Sequence, residues 1–113
     1  EQARFLHAAA LQREGRWQEL EALARRWVEA DSDNPAPWTA LGRALEALGR
    51  LPEASRALET ALRLAPEAAG VLLQSGRLAL QMGDRQRAQE IKTRLERLDP
   101  ALSSEFSIPS APR

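Results

Sequence analysis

A spacing of 34 residues recurs along this chain and constrains its fold more than any other feature. Gly15, Gly49 and Gly83 are separated by it. So are Gly42 and Gly76, with Ala8 one interval earlier, and Pro66 and Pro100, with Ser32 one interval earlier. Leu11, Leu45 and Ala79 follow the same interval, as do Leu20, Ala54 and Ala88. Several independent sets sharing one period mean that a structural unit is repeated. A unit this short cannot bury its apolar face alone and must stack on its neighbours. The 113 residues therefore hold three units, 1–34, 35–68 and 69–102, followed by a tail at 103–113. With Pro109, Pro112 and four Ser, the tail is expected to be flexible. Leu102 and Phe106, four apart, could add one helical turn over the last pair.

Each unit reads as two helices. Over 35–48, Trp38, Leu41, Leu45 and Leu48 form a helical stripe, with Asn34 as N-cap and Pro35 at the first helical position. Gly49 supplies the left-handed residue that ends that helix. Over 52–64, Ala54, Ala57, Leu58, Ala61, Leu62 and Leu64 form a second apolar face, and Pro66 stops it. Helices are expected near 2–14 and 17–30, and again at 85–98, where Asp84 can cap. No segment alternates with period two, so the chain is expected to be all-α. Gly42, Gly76 and Ala8 sit midway along the first helix of each unit, where a missing side chain lets helices approach closely.

Sixteen basic residues balance sixteen acidic ones, which disfavours nucleic acid as a partner. No apolar run approaches the roughly 18 residues of a membrane span, so direct membrane insertion is not expected. With no Cys, thiolate metal sites and Cys nucleophiles are excluded. Lys92 is the only lysine, and Arg and Ala dominate, a usage suggestive of a GC-rich bacterial genome. His7 is the single histidine and lacks the further ligands of a zinc site. Carboxylates such as Glu19, Glu21 and Glu29 are interleaved with Arg at helical spacing and read as surface charge pairs. No catalytic constellation, phosphate loop or cofactor site emerges, so the chain is not expected to be an enzyme. Trp17, Trp27 and Trp38 align with packing positions of other units and read as helix-interface residues rather than a ligand box.

The second unit, Trp38-x2-Leu41-Gly42-x2-Leu45, then Ala54-x3-Leu58, then Pro66, resembles the tetratricopeptide repeat family. Leu stands for Tyr and for Phe of that pattern. The third unit keeps Gly76, Gly83, Ala88 and Pro100, with Leu72 for Trp and Lys92 for Phe. The first is degenerate and keeps Ala8, Leu11, Gly15 and Trp27. The resemblance implies a right-handed superhelical solenoid of antiparallel helix pairs over residues 1–102. It also implies a scaffold that holds a peptide or protein partner in a concave groove lined by the first helix of each unit.

Carried onto this sequence, the groove positions are Gln2, Phe5, Ala9, Gln12 and Arg13. The second unit contributes Thr39, Arg43, Glu46 and Ala47, and the third Leu73, Arg77, Leu80 and Gln81. Arg43 and Arg77, one period apart, suit carboxylates, and Phe5, Leu73 and Leu80 suit apolar side chains. The expected partner is thus a peptide with acidic and apolar residues. The Lys/Asn clamp that some members use for the C-terminal carboxylate of chaperone tails is not expected, because its places hold Phe5, Ala9, Ala40, Gly70 and Gln74. Against the helix one period earlier, Leu51, Leu58 and Leu62 become Arg85, Lys92 and Glu96. This change reads as a solvent-facing C-terminal cap. The principal expectation is a non-catalytic interaction module. The alternatives are an accessory module of a larger bacterial enzyme or of an envelope or secretion assembly protein, and self-association through Phe5 and Leu6 or Leu102 and Phe106.

Overall fold

The computed structural model describes residues 2–109, whose regular secondary structure is helical with no strand among them. The helices are α1 (Gln2–Arg13), α2 (Trp17–Ala30), α3 (Pro35–Ala47), α4 (Leu51–Leu64), α5 (Ala69–Gln81), α6 (Arg85–Leu98) and α7 (Pro100–Ser104). The helices expected from the sequence are present, with ends that move by a residue. The chain divides into two compact units, Glu1–Pro66 and Glu67–Arg113.

One turn is used three times. Gly15, Gly49 and Gly83 have φ of 70°, 81° and 80°, the left-handed conformation that L side chains rarely adopt. At each, the following N–H reaches back five residues: Arg16 to the Leu11 carbonyl at 2.9 Å, Arg50 to Leu45 at 2.9 Å, Asp84 to Ala79 at 2.8 Å. These bonds satisfy carbonyls that the helix end would leave open, and the chain reverses at once into the partner helix. N-termini are capped where the sequence offers an Asx residue. Asn34 Oδ1 accepts from the Ala36 N–H at 3.0 Å, and Asp84 Oδ1 accepts from the Arg87 N–H at 3.1 Å.

In the first unit, Ala8, Leu11, Leu20, Leu23, Trp27 and Ala44 form one buried cluster, with Trp17, Ala36 and Ala40 packed against it. The α3/α4 pair closes through Gly42. A Cβ there would stand 2.7 Å from Leu58 Cδ2, so Leu58, fully buried, occupies the space the glycine leaves. Burying a Leu of this kind contributes about 1.5–3 kcal/mol. Trp27 is 2% exposed, and its indole Nε1 has no hydrogen-bond partner among the described residues. The ring is therefore held by its apolar contacts at the cost of one unmet donor. Trp27→Phe is expected to change the urea midpoint little, because it removes that donor along with some packing, whereas Trp27→Ala should cost about 3–5 kcal/mol.

In the second unit, α5 and α6 pair through Gly76, and the C-terminal segment departs from the sequence expectation. It was expected to be flexible from residue 103, with one helical turn through Leu102 and Phe106 over the last pair as the alternative, and with Arg85, Lys92 and Glu96 facing solvent. Instead Asp99 caps α7 by accepting from the Leu102 N–H at 3.0 Å, and Pro100 opens that helix. Phe106 is 2% exposed, and its ring carbons lie 2.7 Å from where a Cβ on Gly76 would stand. Lys92 donates to the carbonyls of Ser103 at 3.0 Å and Phe106 at 2.6 Å, and its ammonium lies 5.8 Å from the Phe106 ring centroid. Arg85 donates to the Pro109 carbonyl. Two of the three charges thus serve as donors to the backbone of the chain's own tail, while Glu96 is exposed. Covering the face this way is favourable because an ammonium has three donors and the end of a short helix leaves carbonyls open. Residues 110–113 of the expected tail lie outside the described residues.

Candidate functional site

On α3, two stripes diverge. Trp38, Leu41 and Leu45 point inward or into a pocket. Thr39, Arg43, Glu46 and Ala47 lie about 150° around the helix at 100° per residue. The second stripe is the one expected to face a ligand. Arg43 and Ala47 are exposed, and Thr39 and Glu46 are half-buried. Thr39 donates its hydroxyl to the Pro35 carbonyl at 3.0 Å, an intrahelical bond that satisfies its one donor. The Arg43 guanidinium approaches Gln12 Oε1 of α1 at 3.4 Å, a long contact near the outer limit of hydrogen bonding. The structure therefore brings Gln12 and Arg43 together across α1 and α3. Ala9 is half-buried, while Gln2, Phe5 and Arg13 are exposed. Phe5 is 57% exposed and Leu6 beside it 65%, the largest apolar exposures on α1.

In the second unit, α5 carries the remaining expected residues. Leu73 and Leu80 are half-buried, and Arg77 and Gln81 are exposed. The same helix buries Leu72, Ser75, Gly76, Leu78 and Ala79, so its outward stripe alternates with a filled inner one. His7 is exposed, and no group of three metal-ligating side chains occurs among the described residues. No helix among them is long and apolar enough to cross a membrane.

Sequence reasoning missed a charge cluster that ties α2 to the start of α4. Arg50 holds Glu21 at 2.9 Å and Glu53 at 2.8 Å, and Arg25 holds Glu21 at 2.8 Å and reaches Glu53 at 3.6 Å. Arg50 and Glu21 are 29 residues apart, a separation outside the i,i+3 and i,i+4 rule that sequence reading uses. Hydrogen bonding from Arg50 holds the Glu53 carboxyl below the usual carboxylate range, and Arg25 and Arg56 add to the effect by their fields. A carboxyl lowered on folding stabilises the fold above its ordinary pKa, and that contribution is lost as pH falls through the lowered value. The stability gap between the parent chain and Glu53→Gln should therefore be open at pH 7 and close as pH falls below about 4. Urea titrations at pH 7 and pH 3 check this. A gap of constant size would remove the assignment.

Beside this cluster lies a pocket of about 190 Å³ lined by Arg25, Trp38, Leu41, Leu45, Glu53, Arg56, Ala57 and Thr60. It belongs to the first unit and lies on the side of α3 away from Thr39 and Arg43. Trp38, read from the sequence as packing, forms part of its wall and donates its indole N–H to the Ser32 carbonyl at 2.9 Å.

Residues 35–78 match the tetratricopeptide repeat family profile. No curated protein sequence matches the chain. Among solved structures, the chain is similar to the Yersinia enterocolitica type III secretion chaperone SycD in complex with a peptide of the translocator YopD. The TM-score is 0.85 and the identity 14%, over 93% of this chain and 85% of that one. It is similar to PcrH in complex with the chaperone-binding region of PopD, with TM-score 0.85 and 14% identity over 93% and 84%. It is also similar to the first repeat domain of Spaghetti (RPAP3) bound to the HSP90 peptide SRMEEVD, with TM-score 0.84 and 16% identity over 91% and 83%. At these identities the likeness is one of fold.

Proposed function

We propose that this chain is a tetratricopeptide repeat protein and a non-catalytic module that binds a peptide or protein partner. The binding surfaces are the outward stripes of α1 and α3 in the first unit and of α5 in the second. The observation that carries this reading is the division of each first helix into a filled inner face and an outward face of mixed chemistry. Phe5 stands 57% exposed on α1, Arg43 is exposed on α3, and Arg77 is exposed between half-buried Leu73 and Leu80 on α5. Guanidiniums next to apolar side chains suit a segment that alternates carboxylates with apolar residues. Two of the structurally similar proteins hold peptides and a third, PcrH, holds the chaperone-binding region of PopD; one of the peptides, SRMEEVD, has this mixed composition. Here the clamp positions hold Phe5, Ala9, Ala40, Gly70 and Gln74, so recognition would rest on side chains of the partner rather than on its terminal carboxylate.

Fluorescence anisotropy with acidic–apolar peptides tests the reading. Arg43→Glu and Arg77→Glu should each weaken binding about tenfold, equivalent to about 1.4 kcal/mol. Binding by the parent chain should also weaken as salt rises. Peptides that bind both variants as tightly as the parent would remove these surfaces from consideration. A second reading, self-association through α1, is favoured by the adjacent exposure of Phe5 and Leu6, at 57% and 65%. Sedimentation equilibrium separates it, because Phe5→Ser would then shift the chain toward monomer.

A further inference from the structure

We propose that the pocket between α2, α3 and α4 is a second docking site. It would take one bulky apolar side chain of a protein partner, flanked in the partner's sequence by Asp or Glu. Size sets the occupant. Sites for drug-sized ligands enclose about 300–1,000 Å³. At about 190 Å³ this pocket suits a single side chain rather than a cofactor or a metabolite of that size. Its wall is apolar, with Trp38, Leu45 and Ala57, and Trp38 is fixed by its bond to the Ser32 carbonyl. An aromatic wall held in one orientation accepts a side chain at little further entropic cost.

Charge sets what flanks that side chain. The rim carries Arg25, Arg56 and Glu53. Glu53 is already neutralised by Arg50 at 2.8 Å, and Arg25 is engaged with Glu21 at 2.8 Å. The Arg56 guanidinium acts on Glu53 through its field but makes no hydrogen bond or ion pair among the described residues. The one rim charge still open to a ligand is thus a cation, and a carboxylate is its complement. Phe5 and Leu6 of a second copy do not meet this requirement, because they are flanked by Arg4 and His7 rather than by carboxylates; docking of another segment of a second copy is the outcome that concentration-dependent shifts would report. The site is independent of the surface around Arg43, which lies on the other side of α3.

The test uses the intact 15N-labelled chain and the blocked tripeptide Glu-Phe-Glu, with Lys-Phe-Lys and Glu-Ala-Glu as controls. Glu-Phe-Glu should shift the Trp38 indole N–H and the amides of Ala57 and Thr60 saturably, with a Kd of about 1 mM. Both controls should shift them several-fold less. Arg56→Gln should raise the Kd about threefold or more. Thr60→Trp should fill the pocket and abolish the shifts; since Arg56 is on the surface, its variant keeps the test interpretable if Thr60→Trp misfolds. Three results would overturn the proposal: no saturable shift at Trp38, equal shifts with Lys-Phe-Lys, or shifts confined to Arg43, Arg77 and their neighbours. Concentration-dependent shifts of the same resonances without any peptide would assign the pocket to self-association and overturn it as well.

Discussion

Phe106→Ala should lower the unfolding free energy by about 3–5 kcal/mol, a large fraction of the 5–15 kcal/mol typical of a small domain. The ring is 2% exposed and rests where Gly76 has no Cβ. Its loss leaves a cavity that Gly76 cannot fill. The cost then rises with Lys92, whose ammonium is held against the Ser103 and Phe106 carbonyls and loses that geometry once the segment is no longer anchored. Phe106→Leu should retain most of the stability, because apolar volume is largely kept. Lys92→Met isolates the polar part and should cost less, about 1–3 kcal/mol, the price of open carbonyls. Urea unfolding of the three variants checks the order. A Phe106→Ala chain within about 0.5 kcal/mol of the parent would mean that residues 100–106 do not pack as described.

The second large effect is a coupling. Gly42→Ala places a carbon 2.7 Å from Leu58 Cδ2, and Leu58 is fully buried with little room to move. Overpacking of this kind costs about 1–3 kcal/mol, offset in part by the better helix propensity of Ala, worth about 1 kcal/mol. Leu58→Ala alone should cost about 2–5 kcal/mol for the cavity it opens. The double variant removes the clash together with the side chain that caused it. It should therefore be more stable than the sum of the single effects by about 0.5–3 kcal/mol. Additivity in a double-mutant cycle would show that the α3/α4 approach is not set by this pair.

Much of the architecture was legible because each repeat encodes it locally. Gly15, Gly49 and Gly83 sit where a left-handed residue is required, and Asn34 and Asp84 sit where a cap is required. Such signals do not depend on what packs later. The solvent-facing reading of Arg85 and Lys92 failed because polarity on a helix face has two physical meanings, whereas the turn through Leu102 and Phe106 was one of the two readings the sequence offered. Lys92 in the place of Leu58 can face water or can donate to a backbone laid over it, and the residue type is the same in both cases. A stronger signal for that turn was present than the four-residue spacing. Phe106 follows Leu72 by the same 34 residues that separate Leu72 from Trp38, and Asp99-Pro100 repeats the cap-and-proline start of Asn34-Pro35. Pro109 and the serines outweighed it as marks of a loose tail.

The candidate site was legible in part. The outward positions of α1, α3 and α5 were carried over from the family resemblance, and of these Phe5, Arg43 and Arg77 are exposed. The approach of Gln12 to Arg43 does not follow from periodicity, because it depends on the crossing of α1 and α3. The pocket was illegible for the same reason: its wall draws on three helices, and Trp38 serves both as packing and as lining. The Glu21–Arg50 pair joins residues whose proximity only stacking creates.

The most direct test of the interaction surface is a binding footprint. Peptides selected by display against the intact chain would be titrated into the 15N-labelled protein, and the perturbed amides mapped. The expected result is a footprint on Phe5, Gln12 and Arg43 and on Leu73, Arg77 and Leu80, weakened by Arg43→Glu and Arg77→Glu. A footprint confined to α2, α4 and α6, with those residues unmoved and both variants binding as tightly as the parent chain, would contradict it.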